Sequence, residues 1–192
     1  MNKINFKLSI IAALFATTLL FSAPSMADTN TSALPDRAVT KGALSGLVTQ
    51  ENIHETICVK GYTKTIRPPA SYTSKLKKIQ LRALGYEDVN PSHNEEEHDM
   101  PLSLGGHPTD LNNLYPQIRY ACKGNEFNCS QEDRYTPEWN ADKKDDLERR
   151  LQHLVCHGDI SLREAQMAIH ANWVDAYKKY GGEKYHGNGS AD

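Results

Sequence analysis

The chain has 192 residues, of which 39% are hydrophobic and 24% charged, and its formal net charge at neutral pH is -2. This balance is typical of a globular domain and excludes a wholly disordered chain or a fibrous repeat. The one long apolar run lies at the N-terminus, which excludes a protein with several membrane spans, and the near-neutral charge argues at first against a nucleic-acid-binding protein.

The first 27 residues have the layout of a secretory signal peptide. Lys3 and Lys7 precede an apolar stretch over residues 8–21, and residues 25–27 (Ser-Met-Ala) place small side chains at a cleavage site. An uncleaved N-terminal anchor is the alternative. Cleavage removes two lysines and no acid, so it shifts the formal charge from -2 to -4. We therefore expect an exported protein, periplasmic or secreted, with no membrane segment in its mature form.

The exported chain is predicted to form one domain with loose ends. Residues 28–45 are polar and are expected to be a flexible lead-in. Residues 46–180 are expected to form the folded domain, which is an ordinary size for a single hydrophobic core. Residues 181–192 are rich in glycine and polar residues and are expected to be a flexible tail.

The first half of the domain reads as a helix followed by two short strands. The helix is predicted over residues 74–84, with Gly85 at its end and an apolar face made of Leu76, Ile79, Ala83 and Leu84. The first strand is predicted within residues 97–104 and is followed by a turn at Gly105-Gly106. The second is predicted around residues 113–115, before Pro116.

The second half reads as two amphipathic helices. One is predicted to begin with Thr136 as N-cap and Pro137 at the first helical position, with an apolar stripe of Leu147, Leu151, Leu154 and Val155. The other begins with Ser161 and Glu164, which have the spacing of a capping box. Its stripe consists of Leu162, Ala165, Ile169, Trp173, Ala176 and Tyr180. We assign both stripes to the hydrophobic core.

The four cysteines are predicted to pair as disulfides, because export delivers the chain to an oxidising compartment. Cys122 and Cys129 lie close together in a polar segment, which favours a local bridge. Cys58 and Cys156 would then join the start of the domain to a late helix. Four cysteines allow three pairings, and the sequence does not choose among them. A zinc site is the alternative, although the chain lacks a C-x2-C pair.

The polar residues between the helices form an ordered series of motifs. Glu97 directly precedes His98, and residues 101–106 read Pro-Leu-x-Leu-Gly-Gly. Asn113 follows and precedes a leucine. Asn140 and Lys144 then lie at helical i, i+4 spacing. This order resembles the HNH nuclease superfamily. Together with the motifs in residues 58–68, 144–158 and 165–173, it also resembles a bacterial group of exported HNH-type domain proteins, over about residues 50–180.

The resemblance implies an α+β fold, in which a small ββα-metal core is flanked by amphipathic helices and stabilised by disulfides. It also implies roles for individual residues. His98 would be the general base that activates water, and Glu97 would bind the metal. Asn113 would orient the His98 ring or brace the adjoining loop. Asn140 would be the second metal ligand, and Lys144 would contact a phosphate of the substrate.

The sequence departs from the common superfamily pattern at two positions. The acid before His98 is Glu97, where aspartate is more frequent, and Asn140 stands where the pattern usually has histidine. An amide oxygen paired with a carboxylate favours Mg²⁺ or Mn²⁺ over Zn²⁺, so we expect one divalent ion of that kind. Asp142 is an alternative ligand near Asn140, and His93 is an alternative partner for His98 in a metal site.

The charge distribution supports a polyanionic partner in spite of the net negative charge. Residues 58–82 contain no acid and seven basic residues, which are Lys60, Lys64, Arg67, Lys75, Lys77, Lys78 and Arg82. Such a local basic stripe can bind phosphates while the whole chain stays acidic. The alternative is that it forms only the solvated face of the first helix. Arg67 is the strongest candidate for a phosphate contact outside the core motif.

The sequence therefore predicts an exported, metal-dependent endonuclease that hydrolyses DNA with little sequence specificity. One alternative is an exported nucleic-acid-binding module that has lost cleavage through the changes at Glu97 and Asn140. A second is a disulfide-bonded interaction domain with no role in nucleic-acid binding. A toxin-like role would require an immunity or inhibitor protein, of which the sequence shows nothing.

Overall fold

The computed structural model describes residues 33–125 and 129–181. The predicted signal peptide and residues 182–192 of the predicted tail lie outside this part of the chain. The fold is of mixed α and β type with two disulfides, as predicted. Its helices and strands, in chain order, are α1 (Tyr62–Ile66), α2 (Ala70–Ala83), β1 (Asn94–His98), β2 (Leu114–Ile118), β3 (Ala121–Cys122), β4 (Arg134–Tyr135), α3 (Ala141–Cys156) and α4 (Leu162–Tyr180).

Strands β1 and β2 form an antiparallel pair, and β3 and β4 form a second, shorter pair. His98 lies opposite Leu114 at one end of the first pair, and Glu96 lies opposite Pro116. The first strand, predicted within residues 97–104, lies earlier in the chain. Strand β1 ends at His98, and residues 102–104 form a short 3-10 helix. The second continues through Pro116. A two-stranded sheet tolerates proline because each strand has an edge without partners.

Helix α2 packs on the sheet through polar contacts. The Gln80 amide donates to the Leu114 carbonyl at 3.0 Å, and the Lys77 ammonium donates to the Asn94 carbonyl at 2.7 Å. The helix begins at Ala70 after two prolines, four residues before the predicted start at Ser74. The predicted apolar face was wrong: Ile79 is exposed, and the buried residues are Gln80 and Leu81.

Helices α3 and α4 build the hydrophobic core. The predicted stripe of α4 is buried from Leu162 to Ala176, and Ser161 caps the helix by accepting from the Glu164 backbone N–H at 3.0 Å. Asn172 interrupts α4 with an extended backbone and caps the segment that follows. The first helical residue of α3 is Ala141, so the start predicted at Thr136 was wrong.

Both predicted disulfides are present. Cys58–Cys156 joins residues 98 apart and fastens the segment before α1 to the last residue of α3. Cys122–Cys129 closes a separation of seven residues beside β3. The described part of the chain contains no free cysteine.

Residues 33–45 pack against the domain, which corrects the prediction of a flexible lead-in up to residue 45. The Trp173 indole donates to the Ala33 carbonyl at 2.9 Å, and Arg37 forms an ion pair with the buried carboxylate of Asp99. The backbone N–H groups of Lys41 and Gly42 both donate to the carbonyl of residue 112. The domain therefore includes the described residues from Ala33 onward.

Among the described residues, no helix has the length and apolar character needed to cross a membrane.

Candidate functional site

The candidate site is built at the end of β1, where His98 is 5% exposed. Its Nε2 lies 3.0 Å from the carbonyl oxygen of Pro108. Because a carbonyl only accepts, Nε2 must carry the ring proton in this contact, and Nδ1 of the neutral imidazole keeps its lone pair. Nδ1 is therefore the ring atom that can accept a proton from water.

The environment of His98 favours the neutral ring. Burial lowers the pKa of His98 below its ordinary value. The positive charges of Arg67 and Lys144 act in the same direction, and the Pro108 carbonyl and the Glu97 carboxylate act against it. A lowered pKa keeps the ring unprotonated at neutral pH, as a general base requires.

Asn113 braces the loop that follows His98. The side chain is fully buried; its Oδ1 accepts from the Met100 N–H at 2.7 Å, and its Nδ2 donates to the carbonyls of Met100 and His107 at 3.0 and 2.9 Å. These bonds hold both ends of the segment leading to Pro108, whose carbonyl meets the His98 ring. Of the two roles predicted for Asn113, the structure places it in the bracing role.

The same loop requires glycine at position 106. A Cβ atom on Gly106 would lie 1.8 Å from the Met100 carbonyl oxygen and 2.9 Å from the Asn113 Nδ2. No side chain fits at these distances, because the Met100 carbonyl is part of the backbone and is held by its hydrogen bond from the Asn113 amide. The turn predicted at Gly105-Gly106 is thus the place where the loop closes tightly on itself.

Lys144 is completely buried beneath His98 and Glu97, so the predicted phosphate contact by this residue was wrong. Its ammonium donates to the His98 carbonyl at 2.7 Å, to Glu97 Oε1 at 3.4 Å and to Glu148 Oε1 at 2.5 Å. Burial alone would lower the pKa of Lys144, but the Glu148 and Glu97 carboxylates hold it above its ordinary value. Lys144 is therefore a protonated internal cation.

Glu97 belongs to a cluster of three carboxylates. One oxygen each from Glu97, Asp145 and Glu148 lies within 4.8 Å of the others. Glu97 Oε1 also accepts from the His98 backbone N–H at 2.9 Å, which links the cluster to the general-base candidate. Burial and the neighbouring charges of Glu97 and Glu95 raise the pKa of Asp145 to about 7. Burial likewise raises the pKa of Glu148 to about 8, so without a further cation the cluster takes up protons at neutral pH.

Asn140 caps helix α3. Its Oδ1 accepts from the Lys143 N–H at 3.2 Å, and its Nδ2 donates to the Pro137 carbonyl at 2.6 Å. These bonds give the amide a structural function at the position where metal binding was predicted. Asp142, the alternative ligand, forms an ion pair with Arg119. The role of Asn140 as a metal ligand stays a prediction.

The His93 ring contacts Asp88 and Asn90, and not the side chains of the candidate site. The ring is fully buried, with Nδ1 2.5 Å from Asp88 Oδ2 and Nε2 3.3 Å from the Asn90 amide. His93 also lies beside Cys122 and Cys129, but both sulfur atoms are used in the disulfide. This group therefore offers no thiolate ligands in the oxidised protein.

One member of the basic stripe, Arg67, lies near the site. Arg67 is exposed, and its charge is near enough to His98 to lower the pKa of the ring. The Tyr72 hydroxyl of α2 donates to the Thr109 carbonyl at 3.2 Å, next to the loop that holds the ring. Lys77 is half-buried against the sheet, but the other members of the stripe are exposed. The exposed members are Lys60, Lys64, Arg67, Lys75, Lys78 and Arg82.

Sequence reasoning assigned no role to Asp145 and Glu148, although both lie in a motif that it singled out. The available signal was helical spacing: Lys144 and Glu148 are four residues apart, and Asp145 and Glu148 are three apart, which places them on neighbouring parts of one helix surface. It also missed Pro108, because a backbone carbonyl leaves no mark in a sequence.

No protein-family model matches the chain, and no solved structure matches it.

Proposed function

We propose that the protein is an exported, metal-dependent endonuclease of the HNH type that hydrolyses DNA phosphodiester bonds with little sequence specificity. The observation that carries the proposal is the His98 ring, whose Nε2 is engaged by Pro108 while its Nδ1 can accept a proton. The backbone N–H of His98 donates to Glu97, which belongs to the carboxylate cluster. A proton acceptor beside a group of hard oxygen ligands is the combination that phosphodiester hydrolysis needs.

The carboxylate cluster fits a divalent cation. Two oxygens bound to one Mg²⁺ ion at roughly 2.1 Å lie at most about 4.2 Å apart, so the 4.8 Å spread of Glu97, Asp145 and Glu148 needs only small adjustments. All three donors are carboxylate oxygens, which favour Mg²⁺ or Mn²⁺ over Zn²⁺. When bound, such an ion would neutralise charge on the scissile phosphate. Asn140 Oδ1 is a further candidate ligand.

In the proposed mechanism, His98 Nδ1 removes a proton from the water that attacks phosphorus. The P–O bond to the leaving sugar oxygen breaks, and that oxygen takes up a proton from solvent. The Pro108 carbonyl keeps the ring in the tautomer with a free Nδ1 and stabilises the imidazolium that forms. Arg67 would contact a phosphate beside the scissile bond, because its guanidinium is exposed and its charge acts on the ring. The exposed lysines of the basic stripe would hold the flanking backbone without reading bases.

The test compares nicking of supercoiled plasmid and cleavage of single-stranded DNA by the oxidised protein with Mg²⁺, Mn²⁺ or EDTA. His98→Ala is expected to reduce the cleavage rate at least about a hundredfold while DNA binding is retained. His54→Ala is the matched control, because His54 is exposed and outside the site. Binding without cleavage by the wild type would support the binding module. Absence of both would refute a role in nucleic-acid chemistry.

A further inference from the structure

The ammonium of Lys144 occupies a position that a metal ion could fill. It is fully buried, and its three hydrogens have three acceptors: the His98 carbonyl, Glu97 Oε1 and Glu148 Oε1. Two of these acceptors are the carboxylates that the structure groups with Asp145. The cation of Lys144 thus lies among the ligands of the cluster and is tethered to α3 through its own side chain.

The negative charge that Lys144 leaves uncompensated in the cluster can be balanced by one divalent cation. When Glu97, Asp145 and Glu148 are all ionised, Lys144 neutralises one of three negative charges, and two remain. Buried charges without compensation are costly, so a cluster of this kind requires either protons or a divalent ion. If Lys144 were neutral, the excess would be three charges, which one divalent ion does not balance.

Lys144 also connects this charge balance to the geometry of the base. Its bond to the His98 carbonyl fixes the backbone that carries the imidazole, and its contact with Glu97 restrains the carboxylate that accepts from the His98 N–H. The Lys144 side chain therefore fixes the position of Glu97, the metal-ligand candidate, relative to His98, the general-base candidate.

We infer that Lys144 is a positioning residue that serves as a tethered cation: its ammonium occupies one cation position in the carboxylate cluster and limits the cluster to one divalent ion. The assignment of that remaining ion rests on the proposed function. The occupation of the other cation position by Lys144 rests on its contacts alone.

The experiment is a calorimetric titration of Mn²⁺ into metal-free protein, for the wild type, Lys144→Met and Lys144→Arg. Removing a positive charge within 3.4 Å of Glu97 increases the attraction of the cluster for cations. We expect Lys144→Met to bind Mn²⁺ at least tenfold more tightly than the wild type or to bind a second ion. Lys144→Arg keeps the charge and is expected to stay within about threefold of the wild type.

Two further variants separate this effect from a general loss of packing. Lys143→Met changes the neighbouring lysine, which lies over the Trp139 ring at 4.6 Å, and is expected to leave Mn²⁺ binding unchanged. Lys144→Met combined with Glu148→Gln removes one charge of each sign and also one carboxylate ligand, so it is expected to fold and to bind Mn²⁺ more weakly than Lys144→Met alone. If Lys144→Met alone is unfolded in EDTA, Mn²⁺ is expected to restore its thermal transition.

Cleavage rates give the second measurement. Because Lys144 positions His98 and Glu97, Lys144→Met is expected to cleave DNA at least tenfold more slowly while it binds metal more tightly. A side chain with only a packing role would weaken both properties together. That joint loss would overturn the inference, and so would unchanged Mn²⁺ affinity and stoichiometry or a failure of Mn²⁺ to restore an unfolded Lys144→Met variant.

The outcomes distinguish the inference from the proposed function. If the wild type does not bind Mn²⁺ but Lys144→Met does, the metal dependence of the proposed function is wrong and the tethered cation stands. If the wild type binds Mn²⁺ and Lys144→Met binds it identically, the inference is wrong and the metal dependence stands. If neither protein binds Mn²⁺ at millimolar concentration, both are wrong.

Discussion

Substitution of Asn113 tests whether the loop after His98 is stabilised by one buried amide. Asn113→Ala removes three hydrogen bonds of 2.7, 2.9 and 3.0 Å, all to backbone groups of Met100 and His107. A buried backbone group that loses its partner costs roughly 1–3 kcal/mol, so the three together are expected to cost about 4 kcal/mol. In a domain of this size, that corresponds to a fall in melting temperature of roughly 8–16 °C.

The measurement is urea unfolding with both disulfides intact, combined with matched variants. Asn113→Asp keeps an acceptor for the Met100 N–H but places an oxygen opposite two carbonyl oxygens, so it is expected to destabilise the protein at least as much as alanine. Asn112→Ala is the control, because the Asn112 side chain is exposed and its hydrogen bond to Asp110 lies at the surface; it is expected to cost less than about 1 kcal/mol. A cost below about 1 kcal/mol for Asn113→Ala would refute the bracing role.

Three other predictions concern the disulfides and the pH dependence. Replacing Cys58 and Cys156 by serine is expected to cost roughly 4–5 kcal/mol in denaturant unfolding, against roughly 2 kcal/mol for Cys122 and Cys129, because the separations are 98 and 7 residues; equal costs would contradict this ranking. Since burial lowers the pKa of His98, the acid limb of the cleavage rate is expected below pH 6.5, and a midpoint above that value would exclude His98 as the base. Burial and neighbouring charge raise the pKa of Asp145 to about 7, so near pH 6 the native state holds a proton that the unfolded chain has lost. The melting temperature in EDTA should therefore fall as pH rises from 5.5 to 8.5. It should fall less in Asp145→Asn.

The parts of the fold that depend on local chemistry could be predicted from the sequence. The α4 N-cap at Ser161 was predicted correctly because Ser161 and the backbone N–H it accepts from lie three positions apart. The other half of the predicted capping box does not form among these contacts, since the Glu164 side chain accepts from the Tyr180 hydroxyl. The start of α3 was not, because Thr136 and Asn140 both suit an N-cap and only the folded chain chooses between them. Strand β1 was misplaced because it reads Asn-Glu-Glu-Glu-His and lacks the apolar alternation that marks a half-buried strand.

The candidate site was only partly predictable for a related reason. Glu97 and His98 could be found from their order in a motif, but the burial of Lys144 depends on acceptors 46 and 47 residues away. Lysine is rarely buried, so a sequence argument places it on the surface and assigns it to the substrate. Lys144 lies in the interior, and not at the predicted substrate contact, because α3 packs against β1. No local sequence pattern encodes this packing.

The contacts of residues 33–42 set an order in which the domain can be completed. Arg37 meets Asp99 across 62 residues and the carbonyl of His170 across 133, and Ala33 accepts from the Trp173 indole across 140. A chain that emerges from its N-terminus first presents this segment early and its partners late. The Arg37 contact with the His170 carbonyl and the Ala33 contact with the Trp173 indole can form only after α4 has emerged. A chain that stops short of α4 therefore lacks two of the three contacts that hold this segment beside Asp99, the residue after His98.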